Sequence, residues 1–205
     1  RRIGYEILEP DEGYLACGYE GKGRLPDPEA ILEQIRLQLK RKDLAGEKLI
    51  VTAGPSREPL DPVRYISNRS SGKMGYALAR AAARRGAEVV LISGPTALTP
   101  PPGVKVTAVN TAAEMRRAIL DEYAACTAVI MAAAVADYHP VEVSADKIKR
   151  GEGPLDVRLE PNPDILKELG RRKDGKLLIG FAAETGNLDA NAEKKLREKN
   201  LDMIV

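Results

Sequence analysis

Along most of the chain, short apolar runs alternate with stretches whose apolar residues recur every three or four positions. Lys48–Ala53 reads KLIVTA, a compact β-branched run of the kind that forms a strand buried on both faces. A helix is predicted from about Ser71 to Arg85, with Met74, Leu78 and Ala82 on one face and Gly86 as its stop. Strands follow at Glu88–Ser93 and Val104–Val109, the second reached through the Pro100–Pro102 turn. A helix over 111–123 carries Met115, Ile119 and Leu120, with Thr111 as cap and Glu114 three positions on. The pattern then gives a strand at 127–134, a strand at 155–159, a helix at 163–171, a strand at 176–181, a helix at 189–199 and a last strand at Asp202–Val205. Upstream, about 25 residues rich in glycine and turn formers precede a helix from Pro28 to Lys42, with Ile31, Leu32, Ile35 and Leu39 on one face.

Strands alternating with helices of about 12 residues imply βαβ units, hence an α/β, Rossmann-like three-layer fold with a mostly parallel sheet. Small and charged residues from Lys40 to Lys48 read as a linker, dividing a unit at 1–46 from one at 47–205. Ligands of such sheets bind beyond the carboxyl ends of the strands. The loops at 54–70, 135–150, 160–163 and 182–188 are therefore expected to carry the function. The chain stops at the end of a strand, as a domain trimmed at its C-terminus would.

Composition narrows the choices. The 205 residues are 43% hydrophobic and 30% charged, and 32 basic against 30 acidic residues leave a net charge of +2. That balance offers no bulk attraction to nucleic acid or membrane. No apolar run approaches the roughly 20 residues that cross a bilayer, and no secretory pattern opens the chain. Cys17 and Cys126 lie far apart and His139 is the only histidine, so a zinc cluster is not expected and a reducing cytoplasm is. One Phe and no Trp leave little for aromatic stacking.

The loop after the first buried strand reads Gly54-Pro55-Ser56-Arg57-Glu58-Pro59-Leu60-Asp61-Pro62-Val63-Arg64-Tyr65-Ile66-Ser67-Asn68-Arg69-Ser70-Ser71-Gly72-Lys73-Met74-Gly75. It is neither a Walker loop nor a dinucleotide fingerprint. The physics is related, because Ser70, Ser71 and Gly72 stand at a helix start whose free N–H groups attract phosphate oxygens. Ser70 can equally serve as a plain N-cap, and Asn68 as a turn residue or as an amide donor to a developing oxyanion. The strand at 127–134 ends in Met131-Ala132-Ala133, small enough to admit a flat base or ribose, followed by Asp137 at the sheet edge. That aspartate reads as a ligand contact or as the cap of the following turn. Lys147-Ile148-Lys149-Arg150 reads as a solvated basic stretch or as a neutraliser of triphosphate and departing pyrophosphate.

The run TAGPSREPLDPVRYISNRSSGKMG resembles the signature of the phosphopantothenoylcysteine synthetase family, the CTP-dependent phosphopantothenate–cysteine ligases. That family usually has Thr where Ser56 stands. Glu160-Pro161-Asn162-Pro163-Asp164-Ile165 resembles its NPDI turn, and Gly180-Phe181-Ala182-Ala183-Glu184-Thr185 its GFAAET motif. The resemblance runs over residues 48–205. It implies that Asn68 contacts the activated acyl group with Arg64 in support, and that Lys147 serves turnover of the activated intermediate. It also implies that Phe181, Lys195 and Lys199 contact the nucleotide, with Glu160, Pro161, Asn162 and Pro163 lining the cytidine pocket. The expected reaction couples 4'-phosphopantothenate to cysteine through an acyl-cytidylate, with CTP and Mg²⁺, in a homodimer that shares its acyl site. Residues 13–31, around Cys17, resemble the flap that ends the family's fused decarboxylase domain. There the matching cysteine donates a proton to a flavin-generated intermediate, so FMN is expected only with that domain, and this segment alone is expected to be inert. Two other readings remain: a Rossmann-type NAD(P) oxidoreductase, weakened by the missing GxGxxG, and a non-catalytic nucleotide-sensing module.

Overall fold

The computed structural model describes residues 7–39, 41–182, 186 and 188–205. Strands β1 (Asp11–Tyr14) and β2 (Glu20–Arg24) form an antiparallel hairpin that leads into α1 (Pro28–Leu39). Then come β3 (Lys48–Ala53), β4 (Arg57–Pro59), β5 (Tyr65–Ser67), α2 (Lys73–Arg84), β6 (Glu88–Ser93), β7 (Lys105–Ala108) and α3 (Ala112–Tyr123). The chain continues through β8 (Ala128–Met131), β9 (Tyr138–Pro140), β10 (Leu159–Pro161), α4 (Ile165–Arg171), β11 (Leu177–Gly180), α5 (Leu188–Glu198) and β12 (Met203–Ile204).

Six of these strands form one sheet in the order β12-β11-β8-β3-β6-β7, and every neighbouring pair is parallel. The fold is the expected Rossmann-like α/β arrangement. Both faces of the sheet are covered, which is why its central strands read as unbroken apolar runs. Along β3, Leu49, Val51 and Ala53 point to the side of Tyr76, Ala79 and Ala82 from α2. Ile50 points the other way, into a cluster with Met115 and Ile119 of α3 and Ile165 and Leu169 of α4. Helix α3 opens with the expected reciprocal cap, Thr111 accepting from the Glu114 N–H while the Glu114 side chain accepts from the Thr111 N–H.

Several elements differ from the sequence expectation. Helix α2 begins at Lys73 rather than Ser71, because Gly72 adopts a left-handed conformation (φ 76°) that stops the helix there. The strand expected at 127–134 ends at Met131, where the chain leaves the sheet. The strand expected at 155–159 is not in the sheet; Gly151, Gly153 and Pro154 break the approach, and only Leu159–Pro161 pairs, antiparallel with β9. Helix α1 forms and docks on α2, Glu33 accepting from Arg84 Nε at 2.6 Å, yet Ile35 and Leu39 on its apolar stripe remain exposed. Lys40, expected in the linker, lies outside the described residues. Among the described residues no helix is long and apolar enough to cross a membrane.

Candidate active site

The sheet order reverses between β3 and β8: β3 continues outward to β6 and β7, β8 to β11 and β12. Loops leaving two such strands diverge, and the crevice between them is where this architecture binds ligands. Here the two loops first run on together past the sheet. Ala133 N–H donates to Thr52 Oγ1 (3.1 Å), Ala134 N–H to the Gly54 carbonyl (2.9 Å), and Ala136 N–H to Ser56 Oγ (2.9 Å). Asn68 Nδ2 donates to the Val135 carbonyl at 2.9 Å, and Asn162 Nδ2 to that of Ala136 at 2.9 Å. The amides that leave the ladder after Met131 are thus satisfied by side chains as much as by backbone. Segment 132–137 is a fixed shelf, not a loose loop.

Against this shelf lies a hollow of about 570 Å³. Its wall brings together Met131 at the end of β8, Ala133 and Asp137 from the shelf, Pro161, Asn162 and Pro163 from the turn before α4, Phe181 after β11, and Lys195 and Lys199 from α5. Asn162 also donates its N–H to the Asp137 carbonyl at 2.7 Å, which fixes the turn to the shelf. Lys199 reaches Asp164 Oδ2 at 2.9 Å, and Asp164 caps α4 by accepting from the Lys167 N–H. Asp137 is exposed and lines the hollow. Residues not singled out from the sequence also line this wall, among them Val135, Tyr138 and Ile165.

Arg64 and Lys147 stand elsewhere. They line a second hollow of about 1000 Å³ together with Ile148, Lys149 and Arg150. Arg64 Nε pairs with Asp61 Oδ2 at 3.0 Å, and its guanidinium also donates to the Ile148 carbonyl. Burial raises the Asp61 pKa, but N–H donors from Val63, Ile148 and Arg64 and the Arg64 charge outweigh it and hold the carboxyl below its ordinary range. Asn68, Asp137 and Lys147 therefore do not line a single hollow: Asp137 belongs to the first, Lys147 to the second, and Asn68 is tied to the rim of the first through Val135.

The start of α2, with Ser70, Ser71 and Gly72, lines neither hollow. Gly72 is the N-cap and no side chain caps the helix. Ser70 Oγ accepts from the Gly72 N–H (3.3 Å), so it shapes the approach instead of capping the first turn, as one reading of the sequence had it. The first-turn N–H groups of Lys73, Met74 and Gly75 face the end of the helix, a setting suited to an anion. Gly75 lets α2 approach β3: a Cβ there would stand 2.5 Å from both Ala53 Cβ and the Thr52 carbonyl oxygen. Ser71 is exposed beside this helix start.

The remaining expected residues are outside both hollows. Ala132 lies on the shelf, and Glu160 is on β10 facing Arg158 at 3.7 Å. Cys17 is exposed on the turn joining β1 and β2. Ala183, Glu184 and Thr185 lie outside the described residues. The residues that sequence reasoning missed are Thr52, Ser56 and Asp61, whose side chains fasten loops together. Asp61-Pro62 carries a turn signal, but nothing near it in the chain points to its distant partner, Ile148.

A parallel sheet with a hollow beyond the carboxyl ends of β8 and β11 defines a Rossmann-like domain. Residues 44–205 match the profile of the DNA/pantothenate metabolism flavoprotein C-terminal domain, and the chain belongs to that family. It is 50% identical over 206 residues to the coenzyme A biosynthesis bifunctional protein CoaBC of Bacillus subtilis, and 47% identical over 203 residues to that of Haemophilus influenzae. Each alignment takes in 98% of this chain and 51% of the relative, so the chain spans about half the length of the curated relatives it matches. A crystal structure of the C-terminal domain of a CoaBC protein superposes with a TM-score of 0.71 at 51% identity, covering 79% of this chain and 77% of that one.

Proposed function

We propose that this chain carries the phosphopantothenate–cysteine ligase reaction of coenzyme A biosynthesis, with CTP as the activating nucleotide. The phosphopantothenate carboxylate attacks the α-phosphorus of CTP, forming the acyl-cytidylate and releasing pyrophosphate. Cysteine's amine then attacks the acyl carbon, the amide forms, and CMP departs with the carboxylate's former oxygen while the amine loses a proton. The carboxylate needs this activation because it is a poor electrophile.

The observation that carries the reading is the first hollow, where four separate segments meet beyond the carboxyl ends of β8 and β11 with Asp137, Lys195 and Lys199 in its wall. Its small-residue floor at Ala133 suits a pyrimidine nucleoside, and the uncapped start of α2 suits phosphate oxygens. CTP would enter as its magnesium complex. Among the described residues no group of three or more His, Cys, Asp or Glu side chains could hold a metal, so the ion's ligands would be chiefly phosphate oxygens and water. Asn68 at the rim would donate to the acyl oxygen, while Lys147 and Arg64 would neutralise charge on the departing groups. Cys17, the residue matching a flavin-domain flap, sits on an exposed hairpin turn, and its part in a flavin step would need the fused decarboxylase domain.

The reading extends to a homodimer. The apolar Val143, Leu155 and Val157, 54%, 55% and 39% exposed, line one further hollow, and Leu155 also lines the second hollow, a surface that another copy could cover. A shared interface would unite the two hollows across subunits.

The test is pyrophosphate release and amide formation with CTP, UTP or ATP, 4'-phosphopantothenate and cysteine. CTP is expected to support both steps, and Lys147→Gln to lower turnover at least about 100-fold in a folded protein. CTP binding without pyrophosphate release would instead identify a nucleotide sensor, and NAD(P) binding with no CTP response a dehydrogenase-like domain.

A further inference from the structure

We infer that Asp61 is a positioning residue that sets the basic segment 147–150 by gripping the peptide groups of Ile148. The Asp61 side chain is fully buried. Its Oδ1 accepts from the N–H groups of Val63 and Arg64, both at 2.8 Å, which closes the turn that presents Arg64. Its Oδ2 accepts from the Ile148 N–H at 3.1 Å and from Arg64 Nε at 3.0 Å. Arg64 in turn donates to the Ile148 carbonyl. One residue of a distant loop is thus held at its N–H by a carboxylate 87 positions away and at its C=O by a guanidinium 84 positions away.

This grip has a chemical consequence. Ile148 is half-buried while Lys147 and Lys149 on either side are exposed, and both lysines line the second hollow with Arg64. A lysine loses rotamer entropy when it is held, so it neutralises a developing charge best when its backbone is already in place. Asp61 supplies that preorganisation without touching the substrate. All four of its accepted bonds come from this turn and Ile148, which is the pattern of a latch rather than of a solvated acid. Its effect on turnover rests on the ligase reading; the latch itself rests only on geometry.

Asp61→Asn keeps the volume but turns an amide N–H toward the N–H groups that the carboxylate now accepts from. Two measurements on the folded chain test the inference. Amide hydrogen exchange of segment 147–150 should accelerate at least about tenfold in D61N, the loss of one charge-assisted bond, while β3, β6 and β8 keep their protection. In ligation assays, kcat should fall about 10- to 100-fold. The same substitution in a Lys147→Gln background should cost measurably less than in the wild type, because one of the groups it positions is already gone while Arg64 and Lys149 remain. Unchanged protection of 147–150, or equal costs in both backgrounds, would overturn the latch. Should D61N fail to fold, Arg64→Lys releases the Ile148 carbonyl from the other side, and the same exchange readout applies. If the wild type shows no ligation at all, the ligase reading fails and the exchange measurement alone decides the latch.

Discussion

Asp61 illustrates how a single buried carboxylate can show its role through pH. Its pKa is depressed in the folded chain because its hydrogen-bond donors and Arg64 outweigh burial. A carboxylate with a depressed folded value contributes stability above its unfolded pKa, near 3.9, and that contribution disappears as pH falls through the lower folded value. The melting-temperature advantage of the wild type over Asp61→Asn is therefore expected to be full from about pH 5 to 7 and to shrink below about pH 4. Thermal denaturation at several pH values checks this; a gap that stays constant down to pH 2 would show that the Asp61 charge is not what holds the loop. Little of this was legible in the sequence. Asp61-Pro62 announces a turn, but the reason for burying the acid lies with Ile148, and no local pattern reaches across 87 positions.

At the scale of elements, the sheet strands could be read because both of their faces are buried. The central strands β3, β6 and β8 present runs in which successive residues enter opposite cores, and the helices between them repeat at 3.6 residues. The short pairs β4–β5 and β9–β10 could not be read so. Each strand has three residues, three of the four contain or end in a proline, and their partners are set by the loops they fasten. The contact of α2 with β3 gives a direct test. Gly75→Ala places a methyl group 2.5 Å from Ala53 Cβ and the Thr52 carbonyl oxygen, and that backbone cannot swing aside like a side-chain end. The expected cost is about 1–3 kcal/mol, read as a melting temperature lower by several degrees. Gly151→Ala, which meets nothing within 4 Å, should leave it unchanged. Because the same packing sets the start of α2, CTP binding should weaken in G75A as well.

At the scale of the whole molecule, the strand wrongly expected at 155–159 becomes informative. Leu155, Val157 and Leu159 alternate with Asp156 and Arg158, as half-buried strand residues do, yet all three are at least 39% exposed. Val143 shares a hollow with Leu155 and Val157, and Leu155 borders the hollow of Arg64, Lys147 and Lys149. On the proposed reading another copy of the chain covers this surface and brings the hollow of Lys147 to the hollow of Asp137. Val143→Glu combined with Leu155→Glu places two like charges on the surface, and a two-fold interface would bury four. Sedimentation is expected to show dimers of the wild type and monomers of the double variant. The first hollow is built from one chain, so the monomer should still bind CTP with nearly unchanged affinity while amide formation falls at least about tenfold. A fully active monomer would mean that each chain completes its acyl site alone, and the exposed apolar surface would then need another explanation.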